Sequence, residues 1–233
     1  MSEPRRVLKT GGLYFDGKSS YVMTGFGVES YPVTVALWVY YDMLPTTYYT
    51  NVITQCVDVN NRTWQIGHHR FPPHLFRVVI YFTDGAYILL LSNTAIKVGV
   101  WYHVALVINM QNTYLYINGM LDNSITYNKV LKTSGNIRVG CLVGASEVHN
   151  GIIDEVRVYN CALSDAEVQA LYNGVDIRDG LVLYLPLDEG EGNIAYDRSG
   201  YNNNGTIYGN PRWVVKKSSR VLSASRVLSA EAR

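Results

Sequence analysis

The stretch "GIIDEVRVYNCALSDAEVQALYNG", residues 151–174, passes from strand-like to helical patterning within a few positions. Its opening "GIIDEVRVY" is rich in β-branched residues and reads as a strand. "LSDAEVQALYNG" carries the signals of one short helix. Ser164 is placed to cap it, Glu167 three residues on completes a capping box, Leu163 and Val168 suit a hydrophobic staple, and Gly174 suits the stop. No other segment has convincing helical signals.

Outward from this stretch the chain is a series of strands. "VTVALWVYY" (33–41) alternates Val33, Val35, Leu37 and Val39 with Thr34, Ala36, Trp38 and Tyr40, so both faces of that strand can be covered. "NVITQCV", "TWQIGHH", "LFRVVIYF", "YILLLS", "YHVALVI", "TYLYI" and "IRVGCLVG" continue the series, and such regular short strands argue for a sandwich. Asn118-Gly119 in "YINGML" suits the two positive-φ positions of a tight hairpin turn, so the strands on either side should pair.

Composition bounds the function. A chain of 233 residues can bury a full core in one domain, and its formal net charge of +1 offers no long-range field for nucleic acid or an anionic membrane. No stretch approaches the length needed for membrane insertion, and the N-terminus carries no signal-peptide pattern. Cys56, Cys141 and Cys161 are scattered, without zinc-site spacing, and read as buried thiols.

"GGLYFDGKSSYV", "VTVALWVYY", "WYHVALVINMQNTYLYINGML" and "GIIDEVRVYNCALSDAEVQALYNG" resemble, in that order, the laminin-G-like or concanavalin A-like jelly-roll family. The resemblance covers residues 11–174 and implies an all-β jelly-roll sandwich of two antiparallel sheets with one short helix. "GLVLYLPLDEG", "AYDRSGYNNNGTIYG" and "PRWV" resemble the same family, but in its usual order they precede "GGLYFDG". Three arrangements account for the inversion: residues 175–214 complete the jelly roll of their own chain in a circular permutation, complete a neighbouring copy, or begin a truncated repeat. The first is favoured. A lone strand with Leu181, Leu183, Leu185 and Leu187 on one face cannot bury itself, and a jelly roll without it exposes an edge. Residues 1–10 are left as an extension and 215–233 as a tail in which "SRVLSA" occurs twice.

Enzymatic chemistry has little support. Sugar hydrolysis needs two carboxylates converging on a cleft, whereas Asp154 and Glu155 are neighbours expected on opposite strand faces, and Asp188, Glu189 and Glu191 lie in a Gly-rich turn. The chain has no nucleophile elbow, H-E-x-x-H or phosphate-binding glycine loop. His68 and His69 should point opposite ways, so with His74 they favour a structural or surface role. The resemblance implies a structural calcium ion in many family members, with Asp16 and Asp154 at the matching acidic positions; fixing backbone amides in tight turns is the alternative role.

For recognition, "YYDMLPTTYYTN" gathers aromatic and polar groups of the kind that bind sugars, and Tyr41, Asp42, Tyr48, Tyr49, Asn51, Trp64 and Arg70 are the candidate ligand residues. The expectation is a non-catalytic binding module for a glycan or a cell-surface protein, placed outside the cell, at a cell surface or on a virion. The alternative is a structural subunit of a virion, filament or surface layer, a homo-oligomer assembled through residues 180–233.

Overall fold

The computed structural model describes residues 11–214 apart from 47, 144 and 145; the N-terminal extension and the repeated "SRVLSA" tail fall outside the described residues. Among the described residues sixteen strands and one helix follow in chain order. They are β1 (Gly12–Asp16), β2 (Tyr21–Thr24), β3 (Val33–Tyr41), β4 (Thr50–Cys56), β5 (Arg62–His68), β6 (Leu75–Tyr81), β7 (Tyr87–Ala95), β8 (Trp101–Ile108), β9 (Asn112–Ile117), β10 (Met120–Thr126), β11 (Asn136–Val139), β12 (Asn150–Tyr159), α1 (Asp165–Tyr172), β13 (Leu181–Leu185), β14 (Ile194–Ala195), β15 (Gly205–Tyr208) and β16 (Arg212–Val214). They build a jelly-roll sandwich. Sheet A runs β10-β9-β8-β3-β12-β1-β16, with β13 also on β12; sheet B runs β14-β15-β2-β11-β4-β5-β6-β7. All strand pairs between these elements are antiparallel.

Local chemistry places the ends of the elements. Asn118 and Gly119 take φ of 54° and 77°, which closes the β9–β10 hairpin. At α1 the Ser164 and Glu167 side chains each bond the other residue's backbone N–H. The Tyr116 hydroxyl of β9 donates to Asp165 at 2.6 Å, fixing the first turn on sheet A. Val168 and Leu171 then pack with Ala36, Ala105, Val107 and Leu163 in a second apolar cluster on the outer side of that sheet. The main core, between the sheets, includes Leu13, Phe15, Leu37, Ile53, Ile66, Ile80, Leu106 and Ile153.

Strand β12 is shared. Its first half pairs β1 (Leu13↔Ile153) and its second half pairs β13 (Val156↔Leu185). β14 and β15 join sheet B beside β2, and β16 pairs β1. Leu183, Leu185 and Leu187 lie fully buried in the main core, where each contributes roughly 1.5–3 kcal/mol. The expected four-leucine face is interrupted: a register shift between Val158 and Tyr159 puts Leu181 opposite Tyr159, so Leu181 packs with the helix cluster and Val182 with the core.

The scattered cysteines are free thiols; Cys56 and Cys141 are buried, while Cys161 is half-buried. Among the described residues no helix is long and apolar enough to cross a membrane.

Candidate functional site

The loop 69–74 between β5 and β6 meets the segment preceding β4 at one end of sheet B, and there Tyr49, Asn51 and Arg70 come together. The guanidinium of Arg77 lies 4.3 Å from the Tyr49 ring centroid and that of Arg70 lies 5.0 Å from it. Arg70 also covers the Phe71 ring at 4.5 Å, and the His69 ring approaches Tyr49 and Phe71 at 5.7 and 5.5 Å. Behind this cluster Asn51 Nδ2 donates to Glu147 Oε2 at 2.6 Å, and Arg77 Nη2 reaches both Asn51 Oδ1 and Glu147 Oε2 at 3.2 Å. Gly67 opposite Asn51 makes the close approach feasible, since a Cβ there would stand 2.0 Å from the Thr50 carbonyl oxygen. Burial pulls the Arg77 guanidinium below its ordinary value, and Glu147 opposes that shift. A buried arginine is retained here because its charge is paired and its remaining face is covered by an aromatic ring.

The other four candidates behave differently. Tyr48 is 42% exposed beside Tyr49. Tyr41 and Trp64 are fully buried in the core. Tyr41 packs on His68, Phe76 and His149, and Trp64 Nε1 donates to Gln55 Oε1 at 3.0 Å. Their strand parity turns them inward, which corrects the expectation that they line a ligand surface. Asp42 lies toward sheet A, where its N–H donates to the Asn150 carbonyl and where burial first, then the Asp42 carboxylate, push the Tyr14 hydroxyl up. Three contributors were missed. Phe71 stands 49% exposed at the loop tip, Arg77 is a charge in the apolar run "LFRVVIYF", and Glu147 belongs to the segment after β11. Arg77 alone had a readable signal, a charged residue inside a strand of two-sided apolar character.

The two carboxylates expected to share a calcium ion do not meet. Asp16 is opposite Asn150, whereas Asp154 lies beside Gly12 at the far end of β1. Four residues of strand separate them by roughly 13 Å. Asp16 instead accepts from the Lys18, Ser19 and Ser20 amides at 2.9–3.1 Å. Burial alone would raise its pKa, but these amides outweigh burial and hold the carboxyl below the usual range. Of the histidines, His68 turns inward onto His74, with Nε2 and Nδ1 2.9 Å apart, and His69 turns out to the aromatic cluster. Among the described residues no three His, Cys, Asp or Glu side chains form a metal-binding group.

Two clefts lie elsewhere. One of about 650 Å³ runs between the turns Gly25–Ser30 and Thr133–Asn136. The other, about 380 Å³, is lined by Trp38, Glu155, Arg157, Tyr172, Asp176 and Tyr184. In the second, Arg157 pairs with Glu155 at 2.8 Å and stacks on Tyr184 at 4.0 Å, while the Tyr184 hydroxyl donates to Glu155. That network ties β13 to β12.

The family model described as the concanavalin A-like lectin/glucanases superfamily matches residues 15–169. The chain belongs to this superfamily. Similar solved structures share its fold. A Bacteroides ovatus protein assigned to carbohydrate binding is 18% identical at a TM-score of 0.69; 88% of this chain is covered, and the chain spans 60% of that protein's length. A heptameric SAP-like pentraxin from Limulus polyphemus is 13% identical at a TM-score of 0.58, with 74% of this chain and 84% of the pentraxin covered. Domain 4 of AbnA, an extracellular arabinanase of Geobacillus stearothermophilus solved with arabinotriose, is 22% identical at a TM-score of 0.52, with 68% and 75% covered. No curated protein sequence matches the chain.

Proposed function

We propose that the chain is a non-catalytic binding module that takes carbohydrate at the Tyr48–Tyr49 and Arg70–Phe71 end of sheet B. The observation that carries this reading is the aromatic cluster of Tyr49, His69 and Phe71 at this end, with Phe71 half exposed, backed by an Asn51–Arg77–Glu147 network that is already locked. Such rings accept the C–H face of a sugar, while guanidinium and amide groups at their margin orient hydroxyls. A locked network lowers the entropy cost of recognition. The similarity to a protein assigned to carbohydrate binding and to a domain solved with arabinotriose supports the same class of ligand. A hydrolase would need a second carboxylate facing Glu147 across the site. Asp42 lies toward Tyr14 instead, and Glu147 is committed to Arg77. An extracellular or cell-surface setting follows from a glycan ligand.

Titration calorimetry against a panel of neutral and acidic oligosaccharides tests this. The expected result is binding of at least one member, recovered uncleaved, and weakened more than tenfold by Phe71→Ala. No binding across the panel, or equal binding by the variant, overturns the site.

A further inference from the structure

At the base of the loop that carries Arg70 and Phe71, a side-chain hydrogen bond joins the two ends. His68 ends β5 and His74 precedes β6, and their Nε2 and Nδ1 atoms stand 2.9 Å apart. Backbone pairing flanks it, with His69 N–H donating to the Leu75 carbonyl at 2.9 Å and His68 in register with Phe76. Two imidazoles bond each other only while one presents a bare nitrogen lone pair. With a proton on every ring nitrogen, two N–H groups face each other and the bond becomes a repulsion.

We infer that the His68–His74 pair is an acid-sensitive clasp on the ligand loop, so that the loop opens and the module releases its ligand as pH falls. Release, unlike opening, rests on the proposed glycan site.

The surroundings leave an added charge on His68 uncompensated. The ring is fully buried. The titratable and charged groups that act on it are His74 and, from the outward side, His69 in the loop, Arg77 from β6, Tyr41 from β3 and His149 from the segment before β12. None is a carboxylate, and Glu147 is spent on Arg77 and Asn51. Burial first, then His74, His69 and Arg77, push the His68 ring down to about 4 from an ordinary 6.5. In the open loop the ring is solvated and takes its proton near its ordinary value. Opening therefore consumes a proton below about pH 6.5 and becomes about tenfold more favourable per pH unit. Apparent ligand affinity falls by the same factor once the open form predominates.

Amide hydrogen exchange of residues 69–71, 74 and 75, corrected for intrinsic rates between pH 7 and 4.5, reads the clasp without any ligand. In the natural protein protection should fall about tenfold per pH unit below 6.5. In His68→Gln, whose side-chain amide can turn either its nitrogen or its oxygen to His74 and does not itself titrate, it should stay level. His68→Leu, which removes the titrating ring altogether, serves if the first variant does not fold, and there too protection should stay level. Level protection in the natural protein, or an equal fall in natural and variant proteins, overturns the clasp. Acid release of a sugar bound at pH 7, lost in the variant, connects it to binding; a clasp that opens without any sugar binding refutes only the glycan reading.

Discussion

The two outward faces of the sandwich are built for different purposes. On sheet A, Ala36, Ala105 and Val107 are small or branched, and α1 lies over them with Val168 and Leu171 buried. On sheet B, Arg77 and Gln65 point away from the main core as buried polar side chains, and at the end of the sheet Tyr48 and Phe71 remain 42% and 49% exposed. Covering a face with a helix stabilises the fold and removes that face from recognition. On the proposed reading stability and binding fall on separate sides, and substitutions should separate them.

The largest effect should follow Val168→Asp. The side chain is fully buried beneath α1, and an unpaired carboxylate there costs on the order of 3–5 kcal/mol. Denaturant unfolding should show a molecule at the margin of folding; a loss under 1 kcal/mol would mean that the helix is a loose cover and the contrast between the faces is false.

Acid should come next. His149 is fully buried and burial pushes its ring down to about 3 from an ordinary 6.5. The folded ring holds its proton less tightly, so the unfolded chain binds more protons below pH 6.5. Stability from this group is therefore complete above about 6.5 and is lost as pH falls toward 3, at about 1.4 kcal/mol per pH unit. Flat denaturant midpoints between pH 7 and 4.5 would contradict the burial of that ring. The helix cap is a smaller matter. Ser164→Ala removes the acceptor for the Glu167 amide, and about 1 kcal/mol should be lost; an unchanged midpoint would mean that tertiary packing alone holds α1.

Much of the fold was legible because its signals are local. The capping box, the Asn118-Gly119 turn and the alternation of Val33 to Val39 each depend on neighbours in sequence. The site was less legible because it depends on which face a residue takes after long-range pairing. Tyr41 and Trp64 have the composition of sugar-binding residues, yet strand parity turns both into the core. Asp16 and Asp154 sit on paired strands, but antiparallel register puts them at opposite ends. A bulge at Val182 likewise redirects Leu181 to the helix side, and nothing in the alternating leucines announces it. The opposite orientations of His68 and His69 were readable, since adjacent strand residues alternate; the inward ring's partner, His74 across a loop, was not.

The smallest stability effect belongs to Phe71→Ala, and it is the most discriminating. Phe71 lies at a loop tip, 49% exposed, with Arg70 stacked on it and no place in either apolar cluster. Truncating a surface residue of this kind should change unfolding free energy by no more than about 0.5 kcal/mol. If that holds while sugar affinity falls more than tenfold, the ring is present for recognition, because the fold does not depend on it. If instead stability drops by several times that amount, Phe71 and Arg70 are closing the end of the sandwich as Tyr41 and Trp64 do from inside. The exposed end of sheet B would then be another structural cap, and the ligand surface would have to be sought at the 650 Å³ cleft between the Gly25 and Thr133 turns.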